Sequence, residues 1–152
     1  MNANKFTLGA FAILFDENKR VLLCHRRDLD VWNLPGGGVE TGELPTETVQ
    51  REVREETGLE VEIIRLAGVY AKSSNPTDLV FSFTCRISGG EITPTDEADR
   101  IESFSLDALP GNTVPNQVER IFDAARDLPQ PVFVHQTGIS TREMLKKLGG
   151  EP

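Results

Sequence analysis

The stretch GGVETGELPTETVQREVREETGL, from Gly37 to Leu59, decides how this chain is read. It gathers Glu43, Glu52, Glu55, Glu56 and one arginine, Arg51, around a short predicted helix with a glycine at each end. Pro45 suits a first helical position, because the N–H it lacks is one the helix could not use there. Gly58 suits the position just past the helix end, where a left-handed conformation is common. The helix between them is about three turns long. At roughly 100° per residue, Val49 and Val53 share an apolar stripe, and Glu52, Glu55 and Glu56 fan out beside it. These glutamates stand at i, i+3 and i+4, so their side chains are near neighbours.

That arrangement is costly without a counter-ion. Like charges at these spacings repel by about a few tenths of a kcal/mol per pair. Glu55 and Glu56 also occupy the last turn, the negative end of the helix dipole, where acids are disfavoured. A solvated acidic face is the bland alternative. Placement at the wrong dipole end, beside a glycine-rich turn, favours a hard divalent cation instead. Oxygen ligands without supporting His or Cys select Mg²⁺ or Mn²⁺ over Zn²⁺.

The stretch resembles the Nudix box, G-x5-E-x7-R-E-U-x-E-E-x-G-U with U aliphatic, and it matches at every defining position from Gly37 to Leu59. The resemblance spans about residues 5 to 128 and implies a MutT-like hydrolase of α/β class, a mixed β-sheet sandwiched between helices. It also implies a metal site at Glu52, Glu55 and Glu56 with Gly37 beside them, and an Arg51 that orients a catalytic carboxylate. By the same resemblance the general base is a box glutamate, Glu52 among them, or an acid from a distant loop. Glu97, in Thr95-Asp96-Glu97-Ala98-Asp99, is the candidate there, with Asp96 and Asp99 competing and a solvated loop as the bland reading. Glu43 near the helix start is structural, favoured by the dipole, or an outer-sphere partner of the metal. Gly58 is structural. One departure is local: Leu44 stands where a Ser or Thr cap is expected before Pro45.

At 152 residues the chain suits one domain with a single core, residues 1–152, of which about 5–128 form the core and 129–152 a C-terminal extension. With 38% hydrophobic and 26% charged residues it reads as an ordinary soluble globular protein. A net charge of −8 opposes binding to a long nucleic acid, yet leaves a small nucleotide as partner, because local arginines and bound metal reverse the field. The apolar run Leu8 to Phe15 is too short to span a bilayer, and no basic segment with a cleavage site precedes it. Cys24 and Cys85 fall in separate predicted strands and read as reduced, small apolar residues, so a cytoplasmic location is expected. A homodimer is left open.

Phe6 to Phe15 and Arg20 to Arg26 read as strands joined by the turn Asp16-Glu17-Asn18-Lys19. Leu34 to Glu40 is a short extended segment that feeds the box helix. Val61 to Tyr70 and Leu79 to Ile87 are strand-like, separated by the polar loop Ser73-Ser74-Asn75-Pro76-Thr77. Ser88-Gly89-Gly90 marks a turn, and Ile101 to Leu106 alternates as a last strand of the sheet. Val114, Val118, Ile121, Phe122 and Ala125 recur at helical spacing, predicting an amphipathic helix from about Pro115 to Asp127. Pro131 to His135 reads as another strand and Ser140 to Leu148 as a terminal helix.

Arg26 and Arg27 close the second strand. Alternation sends them to opposite faces, so one of them is expected to reach a phosphate. A guanidinium fork suits that contact. Trp32 is expected to pack rather than stack on a base, and His25 and His135 lack the neighbours of a nucleophilic triad. The activity expected is metal-dependent cleavage of a phosphoanhydride in a nucleoside diphosphate linked to another moiety, with ADP-ribose or a nucleotide sugar first. The alternatives are a MutT-type (d)NTP pyrophosphatase and an inactive Nudix-fold nucleotide sensor.

Overall fold

The computed structural model describes residues 6–73 and 75–139. The first two predicted strands form as β1 (Thr7–Leu14) and β2 (Val21–Arg26). In the turn between them, the Asp16 carboxylate accepts from the N–H groups of Asn18 and Arg20. Two short strands follow, β3 (Trp32–Asn33) and β4 (Gly36–Gly38), and the box helix α1 (Pro45–Thr57). The long pair β5 (Leu59–Lys72) and β6 (Asn75–Gly90) precedes β7 (Ala98–Phe104), helix α2 (Pro115–Ala125) and β8 (Val132–Gln136).

These strands make two sheets where one was expected. The larger is mixed, in the order β4-β1-β6-β5-β8, with β1 parallel to β6 and β5 parallel to β8. The smaller, β3-β2-β7, is antiparallel. The reason is steric: β4 and β6 occupy both edges of β1, so β2 cannot stay beside it and pairs elsewhere. Helix α1 lays Val49 and Val53 on Ala10, Ala12, Phe83 and Cys85. On the other side, Ile121 and Ala124 of α2 pack with Ile13, Leu23, Trp32 and Leu34. The α/β class and the helix-covered mixed sheet are therefore as expected.

Several boundaries differ from the sequence reading. Ser88-Gly89-Gly90 is no turn: β6 continues to Gly90, which pairs with Leu59, because the partner strand β5 is long enough to keep the ladder going. The polar loop before β6 is shorter than expected, since pairing begins with Lys72 opposite Asn75. The strand expected at 101–106 runs from Ala98 to Phe104 and belongs to the smaller sheet. The expected terminal helix at 140–148 lies outside the described residues. No helix among the described residues is long and apolar enough to cross a membrane.

Helix α2 is rotated from its expected orientation. Phe122 is 46% exposed, while Asn116, Gln117 and Arg120 face inward. Periodicity counts only apolar residues, and here the interior needs polar ones. Leu34 N–H donates to Gln117 Oε1 at 2.6 Å, Gln136 Nε2 to the Asn116 carbonyl at 2.8 Å, and Arg120 Nε to Gln136 Oε1 at 2.9 Å. The Arg120 guanidinium lies over the rings of Phe11 and Tyr70. Burial pushes its pKa down to about 10, which leaves it charged at neutral pH.

The start of α1 carries a correctable weakness. Leu44 has the extended backbone of a cap and no side-chain cap bond. Only half of a capping box forms, with Leu44 N–H donating to Glu47 Oε1 at 3.0 Å. Leu44→Ser supplies the missing acceptor at an exposed site, so it is expected to stabilise the fold by about 1 kcal/mol. Urea denaturation of both proteins measures this; an unchanged midpoint would mean that another group already satisfies the helix start.

Candidate functional site

The glycines of β4 bring the backbone against α1. A Cβ on Gly37 would stand 2.8 Å from Glu52 Cδ and 2.8 Å from its Oε1, so glycine is what lets the carboxylate close on the strand. Gly36 has φ 151° and would clash with the Ala10 carbonyl if it carried a side chain. Its N–H donates to Glu56 Oε2 at 3.1 Å. Gly58, at φ 81°, ends the helix in the left-handed conformation and donates to the Arg54 carbonyl, as expected of a cap.

Arg51 is the organiser of the helix surface. Its Nε donates to Glu43 Oε2 at 2.6 Å and Nη2 to Glu43 Oε1 at 3.0 Å, a two-toothed fork on one carboxylate. Nη1 donates to Glu52 Oε1 at 2.9 Å and to Glu55 Oε2 at 3.3 Å. Glu43 Oε1 also accepts from the Glu40 N–H and from the Thr48 hydroxyl. The Arg51 fork, foremost, holds the Glu43 carboxyl well below the usual range, at about 2.

The carboxylates that converge are Glu52, Glu56 and Glu97, with one oxygen of each within 4.8 Å of the others. The sequence placed Glu52, Glu55 and Glu56 together. In the structure Glu55 turns outward, 52% exposed, and pairs with Arg51 instead. A helix alone sets which carboxylates are neighbours, whereas the fold sets which of them point at another element. Among the described residues, neither Glu56 nor Glu97 has an ion pair with arginine or lysine. Burial raises the Glu56 pKa, and a proton shared with Glu52 adds to the rise, against the Gly36 N–H that opposes it. Burial likewise raises Glu52, against its bonds to Glu56 and Arg51.

These groups line one cavity of about 460 Å³, within the range of small-molecule sites. Arg26 and Arg27 both line it, contrary to strict alternation, because β2 ends at Arg26 and the chain turns there. Arg26 is engaged by Asp28 through two bonds of 2.8 Å. Arg27 Nε donates to the Thr95 carbonyl. Asp96, the sequence's competitor to Glu97, also lines the cavity, and Asp28 and Asn33 add polar groups to the wall that the sequence did not single out as site residues. Only their nearness to Arg26 and to the glycines hinted at them. Cys24 also borders the cavity, and both cysteines are buried and unpaired. Burial pushes the Cys24 thiol up, with Glu56 and Glu97 adding to it, so the group is a neutral wall atom.

Trp32 is 5% exposed and meets Phe104 edge-on, which is a packing role. His135 is on an exposed position of β8. His25 is buried and bonded through both ring nitrogens to carboxylates, Asp99 and Asp30. Burial opposes its charge, but the two carboxylates outweigh that and raise its pKa.

A family model described as NUDIX domain matches residues 5–124. A putative 8-oxo-dGTP diphosphatase of Bacillus subtilis (strain 168) is 33% identical over 118 residues, 78% of this chain and 79% of that protein. An ADP-ribose pyrophosphatase of Methanocaldococcus jannaschii is 37% identical over 103 residues, 64% of this chain and 61% of that protein. The crystal structure of an ADP-ribose pyrophosphatase from Streptococcus suis 89-1591 superposes with a TM-score of 0.72 at 32% identity, covering 86% of this chain and 100% of that one. A complete box folded around a carboxylate-lined cavity and a family model spanning most of the sequence agree: this chain belongs to the Nudix family, as a pyrophosphohydrolase acting on phosphorus-containing acid anhydrides.

Proposed function

We propose that the chain hydrolyses a nucleoside diphosphate linked to another moiety, with ADP-ribose the first substrate, and that it does so with Mg²⁺ or Mn²⁺. The observation that carries this reading is the convergence of Glu52, Glu56 and Glu97 in one cavity that Arg26 and Arg27 also line. The donor set fits a hard cation. Its ligand atoms are all carboxylate oxygens, and among the described residues two of the three acids form no ion pair with arginine or lysine. When bound, the cation lowers the pKa of a water and offsets charge on the phosphates.

The protein's own groups supply the rest. Arg51 fixes the Glu52 rotamer through Nη1 while its other edge is anchored on Glu43. The Gly36 N–H holds Glu56 by one oxygen. Arg26 and Arg27 present guanidinium groups to the phosphates. Glu97, exposed and without an ion pair among the described residues, is the carboxylate that takes the proton from the attacking water. Gly37 contributes closeness, by letting Glu52 lie against the backbone.

ADP-ribose is favoured by the Streptococcus suis enzyme, whose entire length this chain covers. A second reading, a MutT-type (d)NTP pyrophosphatase, is favoured by the Bacillus subtilis relative. Purified protein with Mg²⁺ should be offered ADP-ribose, nucleotide sugars, dGTP and 8-oxo-dGTP, with products separated by chromatography. AMP and ribose phosphate from ADP-ribose at the highest kcat/KM is the expected result. A higher kcat/KM on 8-oxo-dGTP, with release of the monophosphate, would move the assignment to the second reading.

The raised pKa of Glu56 has a consequence for stability. Above the ordinary carboxyl range and below its folded pKa, the metal-free folded state binds more protons at this site than the unfolded chain. This group's contribution to stability therefore falls as pH rises through that window. A cation that replaces the proton should reverse the loss. The gain in Tm at millimolar Mg²⁺ is thus expected to grow between about pH 5 and about pH 8. A gain that is absent, or equal at both ends, would remove Glu56 from the metal site.

A further inference from the structure

His25 lies in β2 between Cys24 and Arg26, which both border the cavity, so alternation puts its ring on the opposite face. The residue is 8% exposed. Nδ1 is 2.7 Å from Asp99 Oδ1, and Nε2 is 2.8 Å from Asp30 Oδ1. An ionised carboxylate only accepts, and a neutral imidazole has one N–H, so the imidazolium is the form that donates to both. The other charged group near the ring is Arg100, stacked over Trp32 at 5.0 Å, and Trp32 meets His25 edge-on at 5.1 Å.

The two carboxylates come from different elements, a loop and the start of β7. Asp30 follows Arg27 and Asp28 in the connection from β2 to β3, where its carbonyl and carboxylate also accept from Asn112 Nδ2. Asp99 comes two residues after Glu97. The register between β2 and β7 shifts at this point: His25 pairs with Arg100 and Arg26 with Ala98, which leaves Asp99 as the extra residue of a bulge. A bulge bends its strand and re-aims the side chains beside it. The bulge stands where the segment that carries Glu97, close to Glu52 and Glu56, enters β7. The Arg27 N–H, donating to the Glu97 carbonyl at 3.2 Å, ties the β2–β3 connection to that segment at the backbone.

We propose that His25, bridging Asp30 and Asp99 through both ring nitrogens, is a positioning residue that locks the Asp99 bulge and thereby sets Glu97 in the carboxylate cluster. This rests on the reading of Glu97 as a working carboxylate and adds the device that places it. Packing against Trp32 accounts for a buried ring at this position. It does not account for a carboxyl group on each nitrogen, one from the β2–β3 connection and one from the start of β7.

A double-mutant cycle on the full chain separates positioning from packing. Mn²⁺ binding is measured by electron paramagnetic resonance for the wild type, His25→Gln, Glu97→Gln and the double variant. His25→Gln is expected to weaken Mn²⁺ binding by about ten- to a hundredfold, the scale for partners that orient a ligand. In the Glu97→Gln background the same change should cost nothing further, because the group it positions is already disabled. Full additivity, or wild-type binding by His25→Gln, overturns the proposal while leaving Glu97 in its role. If Glu97→Gln itself binds Mn²⁺ like the wild type, the reading of Glu97 as a member of the metal-binding set falls and the proposal falls with it. Should His25→Gln melt below the assay temperature, Asp99→Ala takes its place in the cycle, since that side chain is 39% exposed and breaks the same bridge.

Discussion

Glu56→Gln is expected to lower kcat/KM by at least about a hundredfold, the scale for losing one group that stabilises charge at the reacting phosphate. The fold should survive, and the metal-free protein should be more stable than the wild type above neutral pH. Both follow from one feature: a carboxyl buried against Glu52, held by one N–H, from Gly36, and without an ion pair among the described residues. Glutamine keeps the shape and the hydrogen bond to Gly36 while removing the charge that burial opposes. The Tm gain with Mg²⁺ should shrink in parallel. Glu52→Gln is expected to act in the same direction, with an added loss because Arg51 Nη1 then faces an amide in place of a carboxylate. Activity retained by both variants would sink the metal-hydrolase reading. Destabilised variants would instead show that the carboxylates hold the fold.

Glu97→Gln is expected to reduce kcat by about a hundredfold or more at saturating Mg²⁺, with KM nearly unchanged, as for the loss of a general base. Glu97 reaches Glu52 and Glu56 from the segment before β7 and has no ion pair among the described residues. Its neighbour Asp99 is occupied by His25 and so does not compete for the role. Glu102→Gln, an exposed change farther along β7, is the control for simple loss of surface charge and should leave kcat as it is. Equal, small effects at Glu97 and Glu102 would return the base to the box, to Glu52 or Glu56.

Short-range order was legible in the residues. The box helix begins at Pro45 and ends before Gly58 as expected, because both signals act through the backbone of the residue that carries them. The Leu44 defect was legible for the same reason. The strand boundaries were less so: a ladder continues wherever a partner strand exists, and Gly89 and Gly90 are strand residues only because β5 lies beside them. The inward face of α2 was misjudged because the groups it satisfies, the Leu34 N–H and the Gln136 side chain, lie distant in sequence.

By itself, the sequence determined the family, the helix with its glutamates and the arginine among them, since a local pattern carries all of these. Which carboxylates meet was a tertiary decision. Glu55 and Glu97 exchange places relative to the helical pattern: Glu55 pairs with Arg51, and Glu97 arrives from the segment before β7. The pairing of Arg26 with Arg27 on one cavity, and the bridge through His25, likewise depend on where two loops from different strands come to rest. Contacts between groups far apart in the chain exist only once the fold has closed, and no local spacing encodes them.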